Sequence, residues 1–263
     1  MHKQVIIIIL LVAIVAGCTP AVPEPQPGQL LYVTTFDAFN EDWDLYEGEL
    51  SAQVVADNGN SVLQIGVDSL QTGAFTVMEQ PFGDFDLQVD VAQVAGPEDL
   101  EAPGFGVIFR HKDNENFYAF MISGDGYYQV VRRLDGVDQE LSDWALSPAI
   151  QLGQAVNTLR VVGQDDTFKF FVNDAALPLC LTIWNPLVPG ECQVPAADAG
   201  GEATWSAAAT VMELVDDSIS QGRIGAGARS FGEAGARVHF DDFLVCGPAD
   251  EPPVPFRCEE TGM

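Results

Sequence analysis

The sequence predicts an all-β chain folded as an antiparallel sandwich or barrel. From Leu30 onward, short runs rich in Val, Ile, Phe and Tyr alternate apolar and polar residues with a period of two. The breaks between them carry turn chemistry, as in Asp57-Asn58-Gly59-Asn60, Lys112-Asp113-Asn114-Glu115, Gly124-Asp125-Gly126 and Asp135-Gly136. No helical stripe competes along this stretch, and no strand–helix–strand rhythm marks a parallel sheet.

Taken in order, strands are expected at LLYVTTF, LSAQVVA, SVLQIG, AFTVMEQ and DFDLQVDVAQV, followed by GFGVIFRH, NFYAFMIS and YYQVVRR. NTLRVVG, TFKFFVN, GRIGAGA and ARVHFDDFLV complete the series. In GFGVIFRH, Phe105, Val107 and Phe109 share one face, with Ile108 and Arg110 on the other. In NFYAFMIS, Tyr118, Phe120 and Ile122 oppose Phe117, Ala119 and Met121. Both faces of this pair are apolar at mid-strand. One must enter the core, and the other is either a covered layer or a concave groove. Asp84, Asp86 and Asp90 share a face of DFDLQVDVAQV and read as charges facing water. From about residue 175 to 220, prolines and small residues interrupt the pattern. This reads as a long loop insert with a short helix in WSAAATVMELVDD.

The chain's first residues set its compartment. A lysine in MHKQ precedes an apolar run from Val5 to Ala16, too short for a membrane span of about 20 residues but fitting a signal peptide. Val15-Ala16-Gly17-Cys18 then resembles the bacterial lipobox, which implies cleavage after residue 17 and lipid on Cys18. TPAVPEPQPG follows, with four prolines in ten residues, and reads as an extended tether reaching to residue 29. The folded unit is therefore expected over 30–247, outside the cytoplasmic membrane and anchored to it through lipid.

Of the 263 residues, 47% are hydrophobic and 19% charged, which permits a packed core. The 11 Lys and Arg against 39 Asp and Glu give a formal net charge of −28, which repels phosphate backbones and argues against nucleic-acid partners. Apart from Cys18, the cysteines are Cys180, Cys192, Cys246 and Cys258. In an exported chain they imply two disulfides with three possible connectivities. Pairing 180 with 192 and 246 with 258 is expected, because each pair closes a short Pro-containing loop, the second forming a tail over 248–263.

TTFDAFNEDW, GFGVIFRHKDNENFYAFMISGDGYYQVVRR, FKFFVND and GRIGAGARSFGEAGARVHFDDFLV occur in that order. Together they resemble the concanavalin A-like lectin/glucanase superfamily in its laminin-G-like form, from Leu30 to about Val245. The resemblance implies a jelly roll of two curved antiparallel sheets. Its members include carbohydrate-binding modules, glycan-degrading enzymes and adhesive domains. It also implies a structural calcium near the chain ends, where Asp37 and Asp241 are the candidate ligands. The ExDxxE string of the superfamily's glucanases is absent, as is a GxSxG elbow, so no catalytic residue is expected. Glycan binding would use aromatic faces and hydrogen-bonding side chains. The candidates are Arg110, Tyr118, Tyr128, Arg132 and Trp144, with Trp184 and Trp205 from the insert. A non-catalytic glycan-binding lipoprotein is the leading expectation, ahead of a structural or protein-adhesive envelope domain and a divergent glycoside-acting enzyme.

Overall fold

The computed structural model describes residues 22–38, 41–97, 102–181, 183–184, 192–196 and 204–258. The first strands are β1 (Leu30–Thr34), β2 (Leu50–Asp57), β3 (Asn60–Val67), β4 (Gly73–Phe82), β5 (Phe85–Ala95) and β6 (Gly104–Asp113). Next come β7 (Asn116–Ser123), β8 (Tyr127–Leu134), β9 (Val137–Leu146), β10 (Asn157–Gln164), β11 (Thr167–Val172) and β12 (Ala175–Ala176). The last are β13 (Ile183–Trp184), β14 (Cys192–Ala196), β15 (Thr204–Ala207), β16 (Leu214–Val215), β17 (Gly222–Arg229) and β18 (Ala236–Cys246).

Two antiparallel sheets hold most of these strands. The six-stranded sheet runs β4-β17-β6-β7-β8-β9. The nine-stranded sheet follows β12-β11-β10-β5-β18-β3-β2, with β1 added on β18 and β16 on β11. Sequence-distant neighbours such as β5 with β18 and β6 with β17 give the crossed connectivity of a jelly roll. The core lies between the sheets. Phe105, Val107, Phe109, Tyr118, Phe120 and Ile122 enter it from one side, and Phe85, Leu87, Val89, Phe168, Phe170 and Phe240 from the other. Fully burying each such aliphatic or aromatic side chain is worth about 1.5–3 kcal/mol relative to leaving it exposed. The Phe109 and Tyr118 rings stack at 5.3 Å between centroids, with Phe168 against both.

Three details depart from the sequence reading. β9 was not expected, because VDQELSDWAL is an edge strand whose outward positions are mostly polar. The expected helix in WSAAATVMELVDD is absent. Thr204–Ala207 and Leu214–Val215 are extended, and β13, β14 and β15 form a small sheet of their own within the insert. Asp86 does not face water but is buried, paired with Arg160 through two short contacts of 2.8 and 2.7 Å. The chain after β18 causes this burial. Cys246 and Cys258 are bonded, and the loop they close lays Phe256 against the Arg160 guanidinium at 4.9 Å, opposite Phe171 at 5.1 Å. The Pro253 carbonyl accepts a further hydrogen bond from Arg160. Cys180 and Cys192 form the second bridge, across the base of the insert.

Candidate functional site

Several residues expected to read a ligand read the chain itself. Arg110, Tyr118 and Tyr128 are 1%, 0% and 1% exposed, so none offers a surface. Tyr128 Oη donates to the Pro178 carbonyl, and Tyr118 Oη donates to Asp216 at 2.6 Å. Burial pushes the Tyr128 hydroxyl up to about 12. Burial first, and then the Asp216 carboxylate, raises the Tyr118 hydroxyl as well. Arg132 donates to Asp216 and Ser218, both at 2.6 Å, and to Gln139. Arg110 donates to the Asp165 carbonyl at 3.0 Å and lies 3.4 Å from Asp84. These contacts fasten the return of the insert and the neighbouring turns onto the sandwich. The correction has a backbone cause: Arg110 sits at φ 50°, and the register of β6 shifts between Phe109 and Asp113. The bulge turns Arg110 inward beside Phe109 and hands the outward position to His111.

Among the described side chains of the expected aromatic set, Trp144 alone lies on the outer face of the six-stranded sheet, where it meets Gly104 and Phe231. Trp184 and Trp205 fall on β13 and β15, paired with Cys192 and Pro195, and their side chains lie outside the described residues. Cys18 and the signal segment also lie outside them.

The outer face of the six-stranded sheet is an open groove, which settles the alternative left by the period-two pattern. Phe117, Ala119, Ile108 and Val77 form its apolar floor, with Phe75 and Met121 packed alongside. Two recesses mark it. One, of about 260 Å³, is lined by Phe75, Gly106, Phe117, Met121, Val131, Arg133, Asp138, Gly227 and Arg229. The other, of about 300 Å³, is lined by Asp44, Tyr46, Phe75, His111, Asn114 and Arg223.

β17 explains the groove's depth. Its outward positions are Arg223, Gly225, Gly227 and Arg229, while Ile224, Ala226 and Ala228 enter the core. Between the two arginines the strand presents bare backbone. A Cβ at Gly225 would stand 2.0 Å from the Thr76 carbonyl oxygen, so no larger residue fits there. Gly104, Gly106, Ile108 and His111 run beside it over about 20 Å of β6.

Polar and aromatic side chains cross this floor in a continuous ribbon. Arg223 approaches His111 at 3.4 Å, and His111 stacks on Phe117 at 5.9 Å. Arg133 lies over the Phe117 ring at 5.5 Å and grips Asp138 at 2.6 and 3.0 Å. Arg229 lies 3.7 Å from Asp138 and 5.7 Å from the Phe231 ring, which meets Trp144 edge-on at 5.9 Å. Burial, and then the Arg223 charge, pushes the His111 imidazole below its ordinary value. The neutral ring is 1% exposed, and its Nε2 has no hydrogen-bond partner.

Asp37 and Asp241 do not assemble a cation cage. Asp37 accepts hydrogen bonds from the Ser61 amide and the Thr35 hydroxyl, and Asp241 from the Asp242 amide. Among the described residues no group of three or more His, Cys, Asp or Glu is arranged to hold a metal. Burial first, and then the Asp242, Asp37 and Asp90 carboxylates, raises the Asp241 pKa.

The groove residues missed by sequence reasoning are Phe75, His111, Phe117, Arg133, Asp138, Arg223, Arg229 and Phe231. Their one legible signal is RIGAGAR, in which glycine replaces a side chain at every second position between two arginines.

No protein-family model and no curated protein matches the chain. Its likeness is to solved structures. A carbohydrate binding module, CBM66 from Bacillus subtilis, aligns over 78% of this chain and 94% of its own, with 14% identity and a TM-score of 0.50. A Bacillus subtilis protein of unknown function with a galectin-like fold aligns over 84% and 97%, with 12% identity and a TM-score of 0.51. The GH43 BlXynB protein from Bacillus licheniformis aligns over 82% of this chain but 39% of its own, with 12% identity and a TM-score of 0.51. Two antiparallel sheets around one core, joined by these crossovers, make this chain a jelly-roll sandwich, and its likeness to these structures is one of fold.

Proposed function

We propose that this protein binds a polysaccharide in the groove on its six-stranded sheet, without cleaving it, while held outside the cytoplasmic membrane by lipid on Cys18. The groove's composition carries the reading. Phe75, Phe117 and Met121 offer an apolar bed for the flat face of a sugar ring, and arginines at both ends supply donors for its hydroxyl rim. Carbohydrate binding is the printed role of one similar structure, and two disulfides suit an oxidising compartment.

Glycoside cleavage needs two carboxyl groups about 5–9.5 Å apart across the bond. The described lining of each recess holds one carboxylate, Asp138 in the first and Asp44 in the second; Arg133 already grips both Asp138 oxygens, and Arg223 pairs with Asp44 at 3.3 Å. That arrangement supports binding over hydrolysis.

The test is a glycan array followed by calorimetry on the best polysaccharide. Phe75→Ala should weaken binding about tenfold, the loss expected for about 1.4 kcal/mol of apolar contact, while circular dichroism stays that of the wild type. Silence across a broad array would transfer support to a protein-adhesive role. Release of reducing ends would move it to an enzyme.

A further inference from the structure

We infer that the polysaccharide taken by this groove is carboxylated, and that Arg229, seconded by Arg133, grips its carboxylates. This rests on the groove being a glycan site, and it adds the chemical class of the ligand. The molecule as a whole carries −28, so an acidic polymer would be repelled from most of its surface. The groove reverses that sign. Its two recesses are lined by three guanidinium groups, those of Arg133, Arg223 and Arg229, against the two carboxylates of Asp138 and Asp44, with His111 held neutral.

Within that lining Arg229 is the unspent cation. Arg133 satisfies Asp138 with two short hydrogen bonds. Arg229 stands behind it at 3.7 Å, too far for a hydrogen bond, with its side chain 45% exposed. The guanidinium rests 5.7 Å from the Phe231 ring centroid and donates no hydrogen bond within the described residues. A planar fork of N–H donors so placed matches a carboxylate bidentately. A uronic ring laid on Phe75 would place its carboxylate within the recess that Arg229 and Arg133 also line. A merely solvated surface arginine would contribute little to any ligand, and this difference is measurable.

Calorimetry with polygalacturonate, alginate and hyaluronate, each beside the same polymer with its carboxyls reduced to hydroxymethyl groups, tests the inference. At least one acidic polymer should bind about tenfold or more tightly than its reduced partner, the ratio expected for a charge-assisted hydrogen bond. Its affinity should fall as salt rises. Arg229→Ala should weaken binding of the acidic polymer far more than binding of the reduced polymer, and so remove most of that advantage. Arg229→Lys, which keeps the charge and loses the fork, should restore only part of it. Equal affinity for acidic and reduced polymers, or indifference to Arg229→Ala, overturns the carboxylate inference and leaves glycan binding standing. Binding to a neutral or sulfated glycan alone overturns it in the same way. Absence of binding to every polysaccharide overturns both readings.

Discussion

Arg110 holds φ at 50°, a left-handed backbone that costs a non-glycine residue about 1–3 kcal/mol. The return is a pair of consecutive inward side chains, Phe109 and Arg110, and an outward His111. Period-two counting cannot anticipate a bulge, so it placed Arg110 where His111 stands. That single slip hid one end of the groove. Arg110 lies against Phe168 at 5.3 Å and ties the Asp165 and Ile219 carbonyls to Asp84. Arg110→Met should therefore lower unfolding stability in urea by about 2–3 kcal/mol, with glycan affinity unchanged, because the side chain points away from the groove. His111 gives a pH signature. Its folded pKa lies below the ordinary value of 6.5, so below about 6.5 the unfolded chain takes up a proton that the folded ring resists. Stability contributed by the neutral ring is thus complete above that pH and lost as pH falls toward the folded pKa. Melting curves of wild type and His111→Gln between pH 7.5 and 5 should converge as acid is added, and parallel curves would remove His111 from that role.

At the scale of elements, legibility followed hydrophobic contrast. Strands such as β5, β7 and β10, buried through most of their length, were plain in the sequence because nearly every second residue had to be apolar. β9 was not, since its outward row begins in Asp138 and ends in Trp144, and an edge strand needs no apolar run. It nonetheless supplies both of those residues to the groove. β17 was read as a strand, but the meaning of its glycines emerged only from its neighbours. Nothing in GRIGAGA states that β4 and β6 flank it so closely that a side chain at Gly225 would strike the Thr76 carbonyl. The tail is the element most dependent on covalent chemistry. Its residues make few strand pairings and are held by Cys246–Cys258, Phe256 and Pro253. Cys258→Ser should cost about 2–3 kcal/mol, the effect expected for a loop of this size. It should also open Pro248 to Phe256 to limited proteolysis, with glycan binding on the opposite sheet intact.

The whole molecule combines strong self-repulsion with one cationic groove, and salt acts on the two in opposite directions. Screening relieves the repulsion among 39 acidic side chains. The melting temperature should therefore rise between 0.05 and 0.5 M NaCl by roughly 2–4 °C, the shift that ~1 kcal/mol produces in a domain of this size. Affinity for a carboxylated polymer should fall over the same range. A fall in both would place the dominant electrostatic term in native ion pairs such as Arg237–Asp68 and Arg133–Asp138. The two broad surfaces of the sandwich also differ in kind. One is strapped by the tail over Arg160 and Asp86, and the other lies open around Phe75 and Phe117. Among the described residues the proposed glycan site stands on one of these surfaces alone, so one copy is expected to be monovalent. Copies should then coat a polymer strand without joining two strands, and mixtures with long polysaccharide should stay clear rather than gel or agglutinate.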